Sequence, residues 1–201
     1  MKIIASTYIN SKGAFLNSTK VLSTSSDDEN WLKQLYSALG QDYPKFHKMD
    51  NLSKMAFLGS ELLNEFIPHE IQQENEIQLL FANSTSSQQT DLKFIDSYTN
   101  QGNPSPSLFV YTLPNIVTGE LSIKNKWYGE NIFFIKEDFD ASFFIEQISF
   151  AFKRGNKLCV CGWVDSKMNK NEECFLFLVT PETNNNLETE LTNLLNNYRN
   201  E

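Results

Sequence analysis

The residues Lys136-Glu137-Asp138-Phe139-Asp140 stand between an apolar run, Asn131 to Ile135, and an amphipathic stretch that begins near Asp140. Strand–turn–helix junctions suit nucleophiles. Backbone N–H groups and the helix dipole at such a turn stabilise a thiolate, and also the oxyanion that forms on acylation. This turn, however, holds no serine, cysteine or threonine. Carboxylates at a helix start cap free N–H groups and favour the positive end of the dipole. Asp138 and Asp140 therefore read as caps before they read as catalysts.

Other reactive side chains are sparse. Cys159 and Cys161 lie two apart in Lys157-Leu158-Cys159-Val160-Cys161-Gly162, and Cys174 follows without a histidine. Strand alternation points the first two to one face. A metal or redox pair is one reading; two small buried apolar residues is the plainer one. His47 and His69 are the only histidines and sit in polar, helix-flanking segments with no nucleophile nearby. Ser84, Ser86 and Ser87 lack a glycine elbow. Glu172-Glu173 reads as a solvated loop pair. No phosphate-binding glycine loop and no zinc-spaced cluster occurs. No metal and no cofactor is expected.

The elements that position these residues follow from periodicity. Lys2 to Ile9 reads as a strand, Asn10 to Asn30 as a Ser/Thr/Asp-rich loop, and Trp31 to Leu39 as a short helix broken at Tyr43-Pro44. Leu52, Met55, Ala56, Gly59, Leu62, Leu63 and Phe66 form one helical stripe. Asp50 or Asn51 caps it and Pro68 ends it. Ile77 to Ala82 reads as a strand, Asn83 to Gln89 as a polar loop, Asp91 to Tyr98 as a helix, and Gln101 to Ser107 as a break. Asn115 starts a helix bearing Ile116, Gly119, Leu121 and Ile123. After the strand Asn131 to Ile135, Phe144, Ile148, Ala151 and Phe152 line a helix that Gly155 ends. Leu158 to Trp163 and Cys174 to Thr180 read as strands. Leu187, Leu191, Leu194, Leu195 and Tyr198 form an amphipathic terminal helix. Strands alternating with helices indicate an α/β layered sheet with antiparallel pairing at the end.

The chain has 201 residues, 40% of them apolar and 16 of them Phe, with net charge −8. That length suits a single domain, 1–201, with a sizeable core. An acidic chain with scattered Lys and Arg lacks a footprint for nucleic acid or an anionic membrane. The start is too short and polar for a signal h-region, and no run reaches a membrane span. Three cysteines cannot all pair internally. A cytoplasmic protein is the expectation.

Several stretches resemble one family. "MDNLSKMAFLGSELL", Met49 to Leu63, resembles the Met-Asp helix near the front of β-ketoacyl synthases. "SPSLFVYTLPNIVTGELSIKNKWYGEN" is similar to that family's stretch running through a Pro-Asn loop and a helix to Gly-x-Asn. Phe109-Val110, Leu113-Pro114-Asn115, Gly119 and Gly129-Glu130-Asn131 carry the match. "KLCVCGWVD" looks like the strand after the nucleophile helix, and "EECFLFLVTPE" like the last strand of the first half. The narrower likeness is to short, divergent ketosynthase-like proteins of aryl polyene and flexirubin-type pigment clusters.

The resemblance implies a thiolase-like half: an α/β fold with a mixed five-stranded sheet and helices on both faces. It implies a nucleophilic cysteine at the position that counting from Gly129 gives to Asp138, and two catalytic histidines in a second half, which this chain is expected to lack. A carboxylate cannot form the thioester that condensation needs. The family's dimer interface maps to Asn131, Ile132, Phe133, Phe134 and Ile135, and to Phe109, Tyr111, Thr112 and Leu113. The implied function is a non-catalytic ketosynthase-like subunit of fatty acid or polyketide synthesis. It would pair with itself or with an active ketosynthase, with acyl carrier protein as a further partner. Two alternatives stay open: a 3-oxoacyl-[acyl-carrier-protein] synthase-type acyltransferase using an unrecognised residue, and a self-associating acyl-ligand-binding protein.

Overall fold

A computed structural model describes residues 1–24, 30–71, 75–167, 172–182 and 186–201. The strands are β1 Lys2–Asn10, β2 Gly13–Leu16, β3 Thr19–Ser23, β4 Ile77–Asn83, β5 Asn131–Ile135, β6 Leu158–Ser166 and β7 Glu172–Thr180. The helices are α1 Trp31–Ala38, α2 Asn51–Leu63, α3 Gln88–Thr99, α4 Pro106–Val110, α5 Ile116–Asn125, α6 Ala141–Lys153 and α7 Leu187–Asn200. The strands form one sheet in the order β3-β2-β1-β7-β6-β4-β5. β4 is parallel to both β5 and β6, while β7 is antiparallel to β6 and β1.

Alternation sorts the strand side chains into two layers. Leu79, Phe81, Val160, Leu176 and Leu178 face α1, α2 and α5, which contribute Trp31, Leu35, Met55, Phe57 and Leu121. Leu80, Ala82, Cys159, Cys161, Trp163, Phe175 and Phe177 face α6 and α7, which contribute Phe144, Ile148, Leu191, Leu195 and Tyr198. Every residue of β4 is buried, as expected for a parallel strand covered on both faces. α2 lies close to the sheet because position 59 is glycine; a Cβ there would come 2.8 Å from Leu176 Cδ1.

The expected α/β sheet with helices on both faces is present, but it has seven strands rather than five. The difference lies in the stretch read as a loop. Asn10 instead ends β1, Gly13 to Ser23 forms the β2–β3 hairpin, and residues 25–29 of that stretch lie outside the described ones. Its signal was masked because the turn residues Asn17 and Ser18, both at positive φ, and exposed Thr19 and Lys20 outweigh Ala14 and Phe15 in composition. α2 stops at Leu63 and gives way to a 3-10 turn, Asn64–Phe66, so it ends before Pro68 is reached. β6 and β7 each extend beyond the expected strand, into Val164–Ser166 and Glu172–Glu173. α4 begins in the last two residues of the expected break at Gln101 to Ser107, with Pro106 in its first turn, where its missing N–H costs nothing.

Candidate functional site

The strand β5 lies at the end of the sheet and pairs only with β4 among the described residues. Its entry is set by Gly129, where a Cβ would stand 2.1 Å from the Ile77 carbonyl oxygen. Leu79 N–H donates to Glu130 O at 3.0 Å, and Lys136 N–H donates to Asn83 O at 2.9 Å. In a parallel ladder, alternate residues of one strand serve one neighbour. The even-numbered residues 130 to 136 therefore serve β4. The N–H and C=O groups of Asn131, Phe133 and Ile135 point out of the sheet. Ile132 and Phe134 pack towards the α6–α7 layer and Phe133 towards the α2–α5 layer, while Ile135 is 53% exposed. The four consecutive apolar residues thus cover both sheet faces only in part.

The turn after β5 is built around Asp140. Its Oδ1 accepts from Phe143 N–H at 3.0 Å and from the Ser142 hydroxyl at 2.7 Å, capping α6. Lys136 Nζ lies 3.3 Å from Asp140 Oδ2 and 4.5 Å from the centre of the Phe143 ring. The Ser142 hydroxyl first, then the Phe143 N–H and Lys136, hold the Asp140 carboxyl below its ordinary range. Phe139 turns inward against Phe144, Phe175 and Trp163, with ring centroids 5.4, 5.7 and 6.2 Å away. Asp138 and Glu137 point to solvent. The expectation that Asp138 is also a cap is corrected: α6 has one acidic cap, Asp140, because Asp138 precedes the cap by two residues. Neither histidine reaches this turn. His47 packs edge-on against Tyr36 and Phe46, and His69 lies near the opposite end of β4. The turn presents the capped N–H of Phe143, a half-buried phenyl ring at Phe139 and the exposed carboxylates of Glu137 and Asp138.

The second stretch, Phe109 to Leu113, divides. Phe109 and Leu113 are 56% and 52% exposed. Tyr111 is buried, and its hydroxyl donates to Glu120 Oε1 at 2.9 Å, while Glu120 also pairs with Lys45 at 2.8 Å. Burial and Glu120 push the Tyr111 hydroxyl upward. The Thr112 carbonyl accepts from Ser87 Oγ, which ties α4 to the start of α3. Asn115 stands at the start of α5 without a side-chain cap; its carbonyl accepts from Thr118 Oγ1 at 2.8 Å.

Asp165, on the last turn of the β6 ladder, was not singled out by sequence. It is buried and accepts from Ser84 Oγ at 2.5 Å and Thr85 Oγ1 at 2.9 Å, with Lys167 Nζ at 3.5 Å. Together with the Asn83 side chain, which bonds Ser86 in both directions, it fixes the loop between β4 and α3. The serines there serve as struts. Glu172 and Glu173 are not a solvated loop pair: both lie on β7. Glu172 accepts from Asn51 and Ser166, and Glu173 accepts from Trp163, Tyr8 and Arg199. Cys159, Cys161 and Cys174 are buried, and burial pushes the Cys159 thiol up to about 12. No group of three His, Cys, Asp or Glu side chains among the described residues could hold a metal ion. No described helix is long and apolar enough to cross a membrane.

No family model and no curated protein matches the sequence. Solved structures do match. The complex of the ketosynthase ApeO with its chain length factor ApeC from Xenorhabdus doucetiae aligns with TM-score 0.63 and 10% identity, over 90% of this chain and 79% of that one. The fold is ketosynthase-like. The ishigamide ketosynthase/chain length factor aligns with TM-score 0.59 and 15% identity, over 89% of this chain. AntDE:AntF, a type II PKS acyl-carrier protein in complex with its ketosynthase bound to the hexaketide, aligns with TM-score 0.60 and 14% identity, also over 89%. This chain spans 61% and 62% of those last two. Such identities carry the architecture and leave the chemistry to the residues.

Proposed function

We propose that this chain is a non-catalytic ketosynthase-like subunit that pairs through β5 with a second copy or with an active ketosynthase. The observation that carries the reading is the one-sided edge: apolar β5 directs the backbone groups of Asn131, Phe133 and Ile135 away from its one partner strand. Such an edge invites pairing, and a matching strand satisfies it. Phe109 and Leu113 offer exposed apolar surface to the same assembly, whereas Tyr111 supports it from inside. The turn Lys136 to Asp140 supports the loss of chemistry. Asp138 stands where the resemblance implies a cysteine, and His47 and His69 lie elsewhere in the fold.

In this reading the protein shapes or stabilises a partner that performs condensation in fatty acid or polyketide-type synthesis, aryl polyene synthesis being the narrower assignment. Acyl carrier protein enters as the partner's substrate carrier. The test is direct. Incubation with acyl- and malonyl-carrier-protein thioesters should yield no β-ketoacyl product above a control without protein. Product from this chain alone would overturn the reading and favour an acyltransferase with an unrecognised nucleophile.

A further inference from the structure

β5 with its two flanking residues reads Glu130-Asn131-Ile132-Phe133-Phe134-Ile135-Lys136, a string with opposite charges at its ends and Phe133 at its centre. Both charged side chains stand on the α6 side of the sheet. Glu130 Oε2 lies 2.6 Å from Arg154 Nη1, past the end of α6, and Lys136 Nζ lies 3.3 Å from Asp140 Oδ2, before its start. Both side chains stay partly exposed beside these partners.

The outward backbone groups limit how a second strand can dock. An antiparallel partner makes its hydrogen-bonded pairs at Asn131, Phe133 and Ile135. The residues between them then meet in the closer pairs that share no hydrogen bonds, with Cα atoms about 4.5 Å apart. For a second copy related by a two-fold axis, the register centred on Phe133 sets Phe133 against Phe133, Asn131 against Ile135, Ile132 against Phe134 and Glu130 against Lys136. Apolar side chains meet on the α6 face, and both ends close on opposite charges. The neighbouring registers fail. Centring on Ile132 sets Glu130 against Phe134. Centring on Phe134 sets Glu130 against Asp138 and Ile132 against Lys136, and like charges directly opposite are destabilising.

The helix above the edge agrees with such a pair. α5 is the crossover between β4 and β5, and Thr118 Oγ1 lies 3.0 Å from Asn131 Oδ1. Val117, Thr118 and Leu121 are buried. The opposite stripe carries Ile116, Gly119 and Ile123. Ile123 is 60% exposed, and a Cβ at Gly119 would meet nothing within 4 Å among the described residues. With strands about 4.8 Å apart, a second α5 above its own β4 and β5 would lie about 10 Å away, the spacing of packed helices. Glycine inside a helix is unfavourable, and a close helix neighbour gives it a purpose.

We infer that the occupant of the β5 edge is a second copy of this chain, paired antiparallel about a two-fold axis at Phe133, with Glu130 facing Lys136 at each end and the two α5 helices side by side above. This rests on the reading of β5 as a pairing edge and names the partner.

Charge exchange in the full chain tests it. Glu130→Lys sets lysine against lysine at both ends, and Lys136→Glu sets glutamate against glutamate. Each should weaken the homodimer roughly ten- to thirtyfold in sedimentation equilibrium. Each variant also loses an ion pair within its own subunit. An equimolar mixture of the two restores opposite charges across the edge without repairing those internal pairs, so it should regain near-native association as a mixed dimer. The register has its own check. Phe133→Cys should oxidise to a covalent dimer, whereas Ile135→Cys, more exposed but opposite Asn131, should not. A mixture that associates no better than either variant alone overturns the inference, as does an Ile135→Cys chain that crosslinks faster than Phe133→Cys. A native chain that pairs only with a ketosynthase overturns it too, and β5 then still stands as a pairing edge. A native chain that stays monomeric alone and with every candidate synthase overturns the edge reading itself, and this inference with it.

Discussion

Asp140 Oδ1 holds the backbone N–H of Phe143 at 3.0 Å, and this one hydrogen bond fixes where α6 begins. Replacing Asp140 with Ala should cost about 0.5–2 kcal/mol of stability. Asp138→Ala, at an exposed position outside the cap, should change stability by less than about 0.5 kcal/mol. Urea melts of the two variants check both. Equal losses would show that the cap is shared.

The same cap predicts a pH dependence. The Asp140 carboxyl is held below its ordinary value of 3.8, chiefly by the Ser142 hydroxyl and the Phe143 N–H. A depressed carboxyl stabilises the fold at pH values above its unfolded pKa. That contribution is lost as the pH falls through the folded value. Asp140→Asn keeps a capping oxygen but cannot titrate. Its stability should therefore run parallel to that of the parent near neutrality and fall less steeply below pH about 4.

Glu173 gathers donors from three elements. Arg199 Nη2 and Nε lie at 2.5 and 2.9 Å, Trp163 Nε1 at 3.0 Å and the Tyr8 hydroxyl at 3.1 Å. Burial, then Glu173, pushes the Tyr8 hydroxyl upward. Glu173→Ala strands the indole and the phenol and should cost about 1–3 kcal/mol. Arg199→Ala removes a half-exposed ion pair and should cost less than about 1 kcal/mol. A double-mutant cycle by denaturant unfolding separates the two. Equal costs would mean that the guanidinium pair alone carries the network.

Cys159 and Cys161 share the α6–α7 face of β6, as alternation requires, and pack there as apolar residues. With burial pushing the Cys159 thiol up to about 12 and the Cys161 thiol well above its ordinary range, the native thiols should resist an alkylating agent at pH 8 and react only after denaturation. Rapid labelling of the folded protein would contradict this.

The sequence carried the layered sheet because its longest helices are strongly periodic and its central strands are short apolar runs. Leu52 to Phe66 and Leu187 to Tyr198 show that periodicity, and Ile77 to Ala82 is such a run. The cap at Asp140 was legible because the acid sits directly before Ala141-Ser142. The inward turn of Phe139 was not, since nothing local distinguishes it from Asp138; Trp163 and Phe175 draw it in from other strands. Glu173 reads as a surface residue by type, yet its alternation with Phe175 and Phe177 places it on a buried face. Its partners lie on β1, β6 and α7, contacts that only the folded chain brings together. The β2–β3 hairpin was hidden for a similar reason: Ala14 and Phe15 are buried by distant elements, in a segment whose composition is that of a loop.

The central claim is that β5 is a pairing edge. Ile135 exposes its side chain, and its N–H points out of the sheet, so Ile135→Pro removes an outward donor while leaving the β4–β5 ladder intact. Phe133→Pro removes the donor at the middle of the edge, together with some packing. Sedimentation velocity of the native chain, alone and mixed with candidate ketosynthases, should show a dimer or a mixed complex burying on the order of 2,000 Å². Both proline variants should shift it to monomer or aggregate. A well-behaved native monomer, alone and with every candidate synthase, would contradict the account.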